Sequence, residues 1–248
     1  MDIAHILEEL AYDMGELPRE AIEAAVALRG QITPYLIAIL KDAILRVDEV
    51  MEDDNYQGHL YAMYLLAQFR EPIAYPLILE LVSFSGEIPH AITGDVLTED
   101  LSRILASVSE EKISPLQAVI ENRSLNEYVR AACVDALVIL VGSDIVPRET
   151  VVDYFSSLFE TKLERLPSFV WNQLALSSAM LHPQELVTHI LRACHEELVD
   201  DAFFSPDDLD FFLATPKENL LKQLRHNTEL IEDTVSEMEK WLVVHSSC

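Results

Sequence analysis

Glu127-Tyr128-Val129-Arg130-Ala131-Ala132-Cys133-Val134-Asp135-Ala136-Leu137-Val138-Ile139-Leu140 has neither glycine nor proline, and its apolar residues recur with a helical period. Val129, Ala132, Cys133, Ala136, Leu137 and Leu140 stand at i, i+3, i+4, i+7, i+8 and i+11, one continuous stripe. Strand-type alternation is missing from the chain, and 6 glycines in 248 residues are few for β-turns. The pattern predicts an all-α protein.

Outward from this helix the punctuation repeats. Leu28-Arg29-Gly30-Gln31-Ile32-Thr33-Pro34 closes one helix and opens another, and Phe69-Arg70-Glu71-Pro72-Ile73-Ala74 does the same. Ile113-Ser114-Pro115-Leu116 opens a third, so Ile32, Ile73 and Ile113 recur at spacings of 41 and 40. Two helices per unit at a period near 40 is the spacing of HEAT or armadillo repeats. One such pair cannot bury its apolar face alone, and stacking pairs gives a shared core. The reading is a HEAT/armadillo-like α-α superhelix with pairs near 18–50, 56–84, 95–123, 125–165 and 168–200. A helix at about 3–13 precedes them, and 84–95, with Gly86, Pro89 and Gly94, is an irregular connection. Residues 1–200 form the repeat body, and 201–248 a helical cap on the same domain.

Several starts carry capping grammar. Asp54-Asn55-Tyr56-Gln57, Ser124-Leu125-Asn126-Glu127 and Ser205-Pro206-Asp207-Asp208 read as capping boxes, and Thr215-Pro216 places proline at a first helical position. Beyond it Leu220, Leu224, Ile231, Val235, Met238 and Leu242 predict one helix from Lys217 to Val243.

Composition bounds the partners. The 43 acidic residues against 17 Lys and Arg give a net charge of -26, while half the residues are hydrophobic. A folded body is expected, because disorder needs low hydrophobicity as well as high charge. A polyanion repels phosphate, so nucleic acid is excluded as a partner, and docking to an anionic membrane is weakened. Cys133, Cys194 and Cys248 are dispersed, which fits a reducing, cytoplasmic setting better than a disulfide framework. The opening Met1-Asp2-Ile3-Ala4-His5 has no basic region of a signal peptide, and the apolar stretch Ala131 to Val141 is too short to span a bilayer.

Chemistry is sparse. No nucleophile elbow, phosphate loop or dinucleotide fingerprint occurs. His189, Cys194, His195 and Glu196 crowd one helix, which cannot converge three or four zinc ligands. The acidic runs at 48–54, 200–201 and 207–210 lack the alternating ligands and central glycine of a calcium loop. No catalytic residue, cofactor or metal ligand is therefore assigned. Trp171-Asn172-Gln173 stands out, since two amides open an otherwise apolar helix and need partners if buried.

With its length, acidic N-terminal helix, Ile32-Thr33-Pro34, Ile73-Ala74-Tyr75-Pro76 and Phe169-Val170-Trp171-Asn172, the chain resembles a bacterial family of unknown function whose members have about 250 residues. The resemblance implies an all-helical, HEAT-repeat-like fold and carries no functional residues. Some relatives have a cysteine-rich, metal-binding tail; this chain ends Val244-His245-Ser246-Ser247-Cys248 and departs from that pattern.

The leading functional expectation is a non-enzymatic interaction scaffold whose second helices line an acidic concave surface. In this register Asp153, Glu160, His189 and Arg192 face a protein or peptide partner, one of basic character. The alternative is an enzyme, lyase-like, or a small-ligand binder using a groove between repeats. A third reading pairs two copies through the C-terminal helix.

Overall fold

The computed structural model describes residues 1–245, and every described regular element is helical. The only β feature among these residues is an isolated antiparallel bridge between Tyr12 and Tyr56. No helix is long and apolar enough to cross a membrane among the described residues. Cys248, and with it the chain end compared with cysteine-rich tails, lies outside them.

The helices in chain order are α1 (Ile3–Ala11), α2 (Arg19–Ala27), α3 (Arg29–Leu45), α4 (Val47–Glu52), α5 (Gly58–Gln68), α6 (Ala74–Val82) and α7 (Ile88–Thr93). Then come α8 (Val96–Glu99), α9 (Leu101–Val108), α10 (Ser114–Glu121), α11 (Glu127–Gly142) and α12 (Arg148–Ser157). A π-turn follows over Leu158–Lys162, then α13 (Phe169–Met180), α14 (Val187–His195), α15 (Pro206–Ala214), α16 (Lys217–Asn227) and α17 (Thr234–His245). The helices expected from the recurring Ile32, Ile73 and Ile113 punctuation are α3, α6 and α10. The expected single C-terminal helix is instead two, α16 and α17, separated by residues 228–233.

The chain forms two compact units. The first comprises residues 1–94, 107–110 and 230 onward. In it α3 packs on α5 and α6, and α1 packs on α2 and α5. Almost every side chain of α5 is buried, including Tyr61, Tyr64 and Leu65, so this helix has no solvent face and forms the centre. The returning α17 packs on α2 and α5. It is tied there by Thr234, whose N–H and hydroxyl donate to Gln68 Oε1 at 2.9 and 2.7 Å. Arg70 Nη1 donates to the Ile231 carbonyl at 2.6 Å. The stripe residues Ile231, Val235 and Met238 are buried within this unit.

The second unit comprises residues 95–106 and 111–229. Its centre is α11, buried from Val129 to Gly142 apart from the half-buried Asp135, which packs on α8, α10, α12, α13 and α16. Arg130 lies on the predicted apolar helix yet is buried. Its Nε donates to the Ile120 carbonyl at 2.9 Å, and both terminal nitrogens meet Glu164, at 2.5 and 2.9 Å. Gly142 ends α11 where α16 crosses it. A Cβ there would collide with Thr228 Oγ1 and stand 3.2 Å from Leu224 Cγ. Gly142→Ala is expected to destabilise by about 1–2 kcal/mol, overpacking outweighing alanine's better helix propensity. The denaturation midpoint should fall, and an equal or higher midpoint contradicts this packing.

The helix ends explain how so few glycines suffice. Arg70, Glu110, Asp144, His182 and Glu197 all adopt left-handed backbone, the conformation usually given to glycine. After α5 the Glu71 N–H donates to the Leu66 carbonyl, and after α11 the Ile145 N–H donates to that of Leu140. A non-glycine residue in this conformation costs about 1 kcal/mol, and at two of the five positions the side chain makes a long-range contact. Arg70 reaches Ile231, and Asp144 accepts from Arg225 at 3.0–3.1 Å.

Helix starts differ from the sequence reading in three places. At α11 the cap is Asn126, whose side chain accepts from the Tyr128 N–H at 2.9 Å, rather than Ser124. At α5 the first residue is Gly58 without a side-chain cap, and Asp53 instead turns back onto the Asn55 N–H. At α16 Pro216 is the capping position itself, while Thr215 donates to the Phe211 carbonyl. The Ser205–Asp208 capping box is present in full, with Pro206 in the first turn.

Candidate functional site

Two places in the second unit gather polar side chains from successive helix pairs, and three of the four residues singled out in the sequence belong to the first. After Ser157 the chain widens into the π-turn, in which the Leu163 N–H donates to the Leu158 carbonyl at 3.3 Å. That leaves the Phe159 carbonyl to other donors. Arg165 Nη1 donates to it at 3.0 Å and Arg192 Nη2 at 3.1 Å. The Phe159 ring stacks on His189 with centroids 5.9 Å apart and planes 16° apart. Its other neighbour is Trp171, at 5.9 Å.

Around this turn the charges are paired. His189 Nε2 lies 3.8 Å from Glu160 Oε1 and 3.4 Å from Ser156 Oγ. Arg192 Nε is 3.8 Å from Glu196, which also pairs with Arg165 and is held below its ordinary range by that hydrogen bond. Lys162 meets Glu121 at 2.6 Å and lies over the Tyr154 ring. Glu160, His189 and Arg192 thus form one cluster. Asp153 is exposed on α12 before the turn. Asp153 and Glu160 are seven residues apart, but Glu160 falls in the π-turn, which is wider than an α-turn, so the two do not follow α-helical spacing. The face is of mixed charge, with Glu121, Asp153, Glu160 and Glu196 beside Lys162, Arg165 and Arg192.

The second place is a small recess of about 40 Å³, lined by residues of α8, α9, α11 and α13. Asp135 on α11 forms its floor with Gln173 on α13, whose Nε2 donates to Asp135 Oδ1 at 3.3 Å. Burial pushes the Asp135 carboxyl up, a hydrogen bond from Ser102 pulling it partly back. Tyr128 and Phe169 form the wall, rings 4.8 Å apart, and the aromatic row continues to Phe203, 5.2 Å from Phe169.

These contacts separate the three members of Trp171-Asn172-Gln173. Trp171 is fully buried and its Nε1 donates to the Glu164 carbonyl at 3.0 Å. Asn172 Oδ1 accepts from the Asp200 N–H at 2.8 Å, fixing the turn after α14. Gln173 alone faces the recess. The α11 stripe had shown Asp135 only as an interruption; its place opposite Gln173 depends on how α11 meets α13, which periodicity does not give.

A larger recess of about 360 Å³ lies between the end of α11, the start of α12 and α16. Its cations are committed: Arg225 to Asp144, and Arg148 to Glu185 and two carbonyls. Among the described residues no three His, Cys, Asp or Glu side chains come together as metal ligands. Cys194 is half-buried, and burial raises its thiol.

Residues 1–245 match the model of a family described as "Protein of unknown function (DUF1186)". The chain is 52% identical over 243 residues to an uncharacterized protein of Chlamydia trachomatis serovar D, covering 98% of this chain and 96% of that one. It is 51% identical over 243 residues to an uncharacterized protein of Chlamydia muridarum, covering 98% and 97%. No solved structure matches it.

Proposed function

We propose that this chain, which belongs to the bacterial DUF1186 family, is a non-enzymatic, HEAT-like interaction protein that holds a protein or peptide partner along its second helices. The observation that carries this reading is the π-turn, where groups from two successive second helices are fixed at the surface. His189 is oriented by stacking on Phe159 and Arg192 by its bond to the Phe159 carbonyl, with Glu160 3.8 Å from His189, so little entropy of the His189 and Arg192 side chains is lost when a partner binds. π-turns occur frequently at functional sites. Stacked pairs are supported by α11 packing on α13 and by α14 packing on the π-turn that extends α12, first helix to first and second to second.

The partner is basic in this reading, since a net charge of -26 accelerates its approach and the acids at the turn include Asp153 and Glu160. The double variant Asp153→Ala with Glu160→Ala is expected to bind an oligolysine peptide several-fold more weakly than the unmodified chain. Affinity of the unmodified chain should fall between low and physiological salt. Equal binding by the variant, with no salt dependence, contradicts the reading.

A further inference from the structure

We infer that the recess floored by Asp135 and Gln173 is a binding site for a primary ammonium group, carried by a free alkylamine or by a lysine side chain. It does not rest on the second-helix reading above.

Four observations support this assignment. Asp135 is held by neutral partners alone, the Gln173 amide and the Ser102 hydroxyl, and no Lys, Arg or His pairs with it among the described residues. A carboxylate sheltered by protein without a counter-charge is costly, and a bound cation removes that cost. Tyr128 and Phe169 line the recess with Asp135, and aromatic rings near a carboxylate add to the attraction of a cation. The recess, about 40 Å³, has room for a small polar head, and a primary ammonium, unlike a tetraalkylammonium, can donate hydrogen bonds to the carboxylate. The row from Phe169 to the half-exposed Phe203 gives an alkyl stem an apolar path away from the head.

The surrounding charges are otherwise engaged or turned to solvent. Asp100 meets Arg103 at 2.9 Å, Arg130 is bound to Glu164, and Arg225 to Asp144. Glu127 accepts from the Phe169 N–H, Glu121 pairs with Lys162, and Glu99 is exposed. On α13 no charged residue occurs.

The test titrates the full chain with n-butylamine, with a short blocked peptide containing one lysine, and with tetramethylammonium, following the Gln173 side-chain amide resonance. Butylamine should give a saturable shift, with tetramethylammonium far weaker. Asp135→Asn should weaken butylamine tenfold or more, and Tyr128→Ala, at a residue already 40% exposed, several-fold with the fold intact. Tighter binding of the lysine peptide than of butylamine assigns the site to a protein segment, and the reverse to a free amine. Asp135→Asn should also raise the melting temperature at neutral pH. A carboxyl whose pKa is raised in the fold destabilises it once ionised, and asparagine keeps the acceptor without the charge. No saturable shift with either amine, equal affinity in Asp135→Asn, or a lowered melting temperature in that variant overturns the assignment. Loss of the oligolysine-induced shifts at 153–162 in the Asp153 and Glu160 double variant, with the butylamine shift of Gln173 unchanged, separates the two sites.

Discussion

Arg148→Ala is expected to cost about 3 kcal/mol of stability, a larger effect than any surface substitution in this chain should give. Arg148 opens α12 with its side chain only 5% exposed and joins that helix to the connection between α13 and α14. Nη1 and Nη2 meet the two Glu185 oxygens at 2.8 and 2.7 Å, Nη2 also donates to the His182 carbonyl at 2.7 Å, and Nε to that of Leu181. Alanine leaves both carbonyls without their donor while Glu185 returns to water. Arg148→Lys should recover only part of the loss, because one ammonium cannot satisfy a bidentate carboxylate and two carbonyls together. In a protein of this size the melting temperature should fall by roughly 6–12 °C.

Acid adds a check on the same pair. The hydrogen bond from Arg148 lowers Glu185 from 4.5 to about 2, against the opposing effect of burial. A carboxyl lowered in this way stabilises the fold above its unfolded pKa and loses that contribution as pH falls through the folded value. The gap between the unmodified chain and Arg148→Ala should therefore hold from neutral pH to about 4.5 and narrow from there toward about 2. A gap that widens on acidification contradicts the pairing.

Trp171→Ala carries the second large effect, about 4 kcal/mol, as for a large aromatic removed from a well-packed interior. The ring is fully buried against Phe159, Arg165 lies over it with the guanidinium carbon 5.1 Å from the centroid, and its N–H is spent on the Glu164 carbonyl. Because Phe159 and Arg165 also shape the π-turn, the variant should lose oligolysine binding as well as stability. Trp171→Phe should keep much of both, losing the indole hydrogen bond and part of the packing. If Trp171→Ala melts with the unmodified chain, the ring does not hold the turn.

Helix identity was legible in the sequence because helical period needs only local spacing. The stripe from Val129 to Leu140 and the isoleucines at 32, 73 and 113 each mark a real helix or helix start. Helix ends were less legible, because glycine usually signals them and here Arg70, Asp144, His182 and Glu197 take its conformation. The break at 228–233 was hidden for a related reason: Leu224 and Ile231 keep the expected spacing, yet they are buried in different units. Of the four residues singled out in the sequence, Glu160, His189 and Arg192 lie close together around the turn after α12, while Asp153 stands before it. Nothing in the sequence marked the π-turn, whose extra width comes from hydrogen bonds that reach one residue further than in an α-helix. Nothing in the sequence singles out Arg130 or Arg148, since a buried arginine is recognised only by the carboxylate and carbonyls that tertiary packing brings to it. The same holds for Asp135.

The most direct test of the interaction reading is to titrate the isotope-labelled chain with the oligolysine peptide and map which backbone amides shift. The account predicts shifts at 153–162 and 187–196, around Glu160, His189 and Arg192, that fade as salt rises and are lost in the Asp153 and Glu160 double variant, separately from any that lysine side chains cause at the Asp135 recess. Shifts spread over the acidic runs at 48–54 and 200–210 instead, leaving the π-turn unmoved, would contradict it.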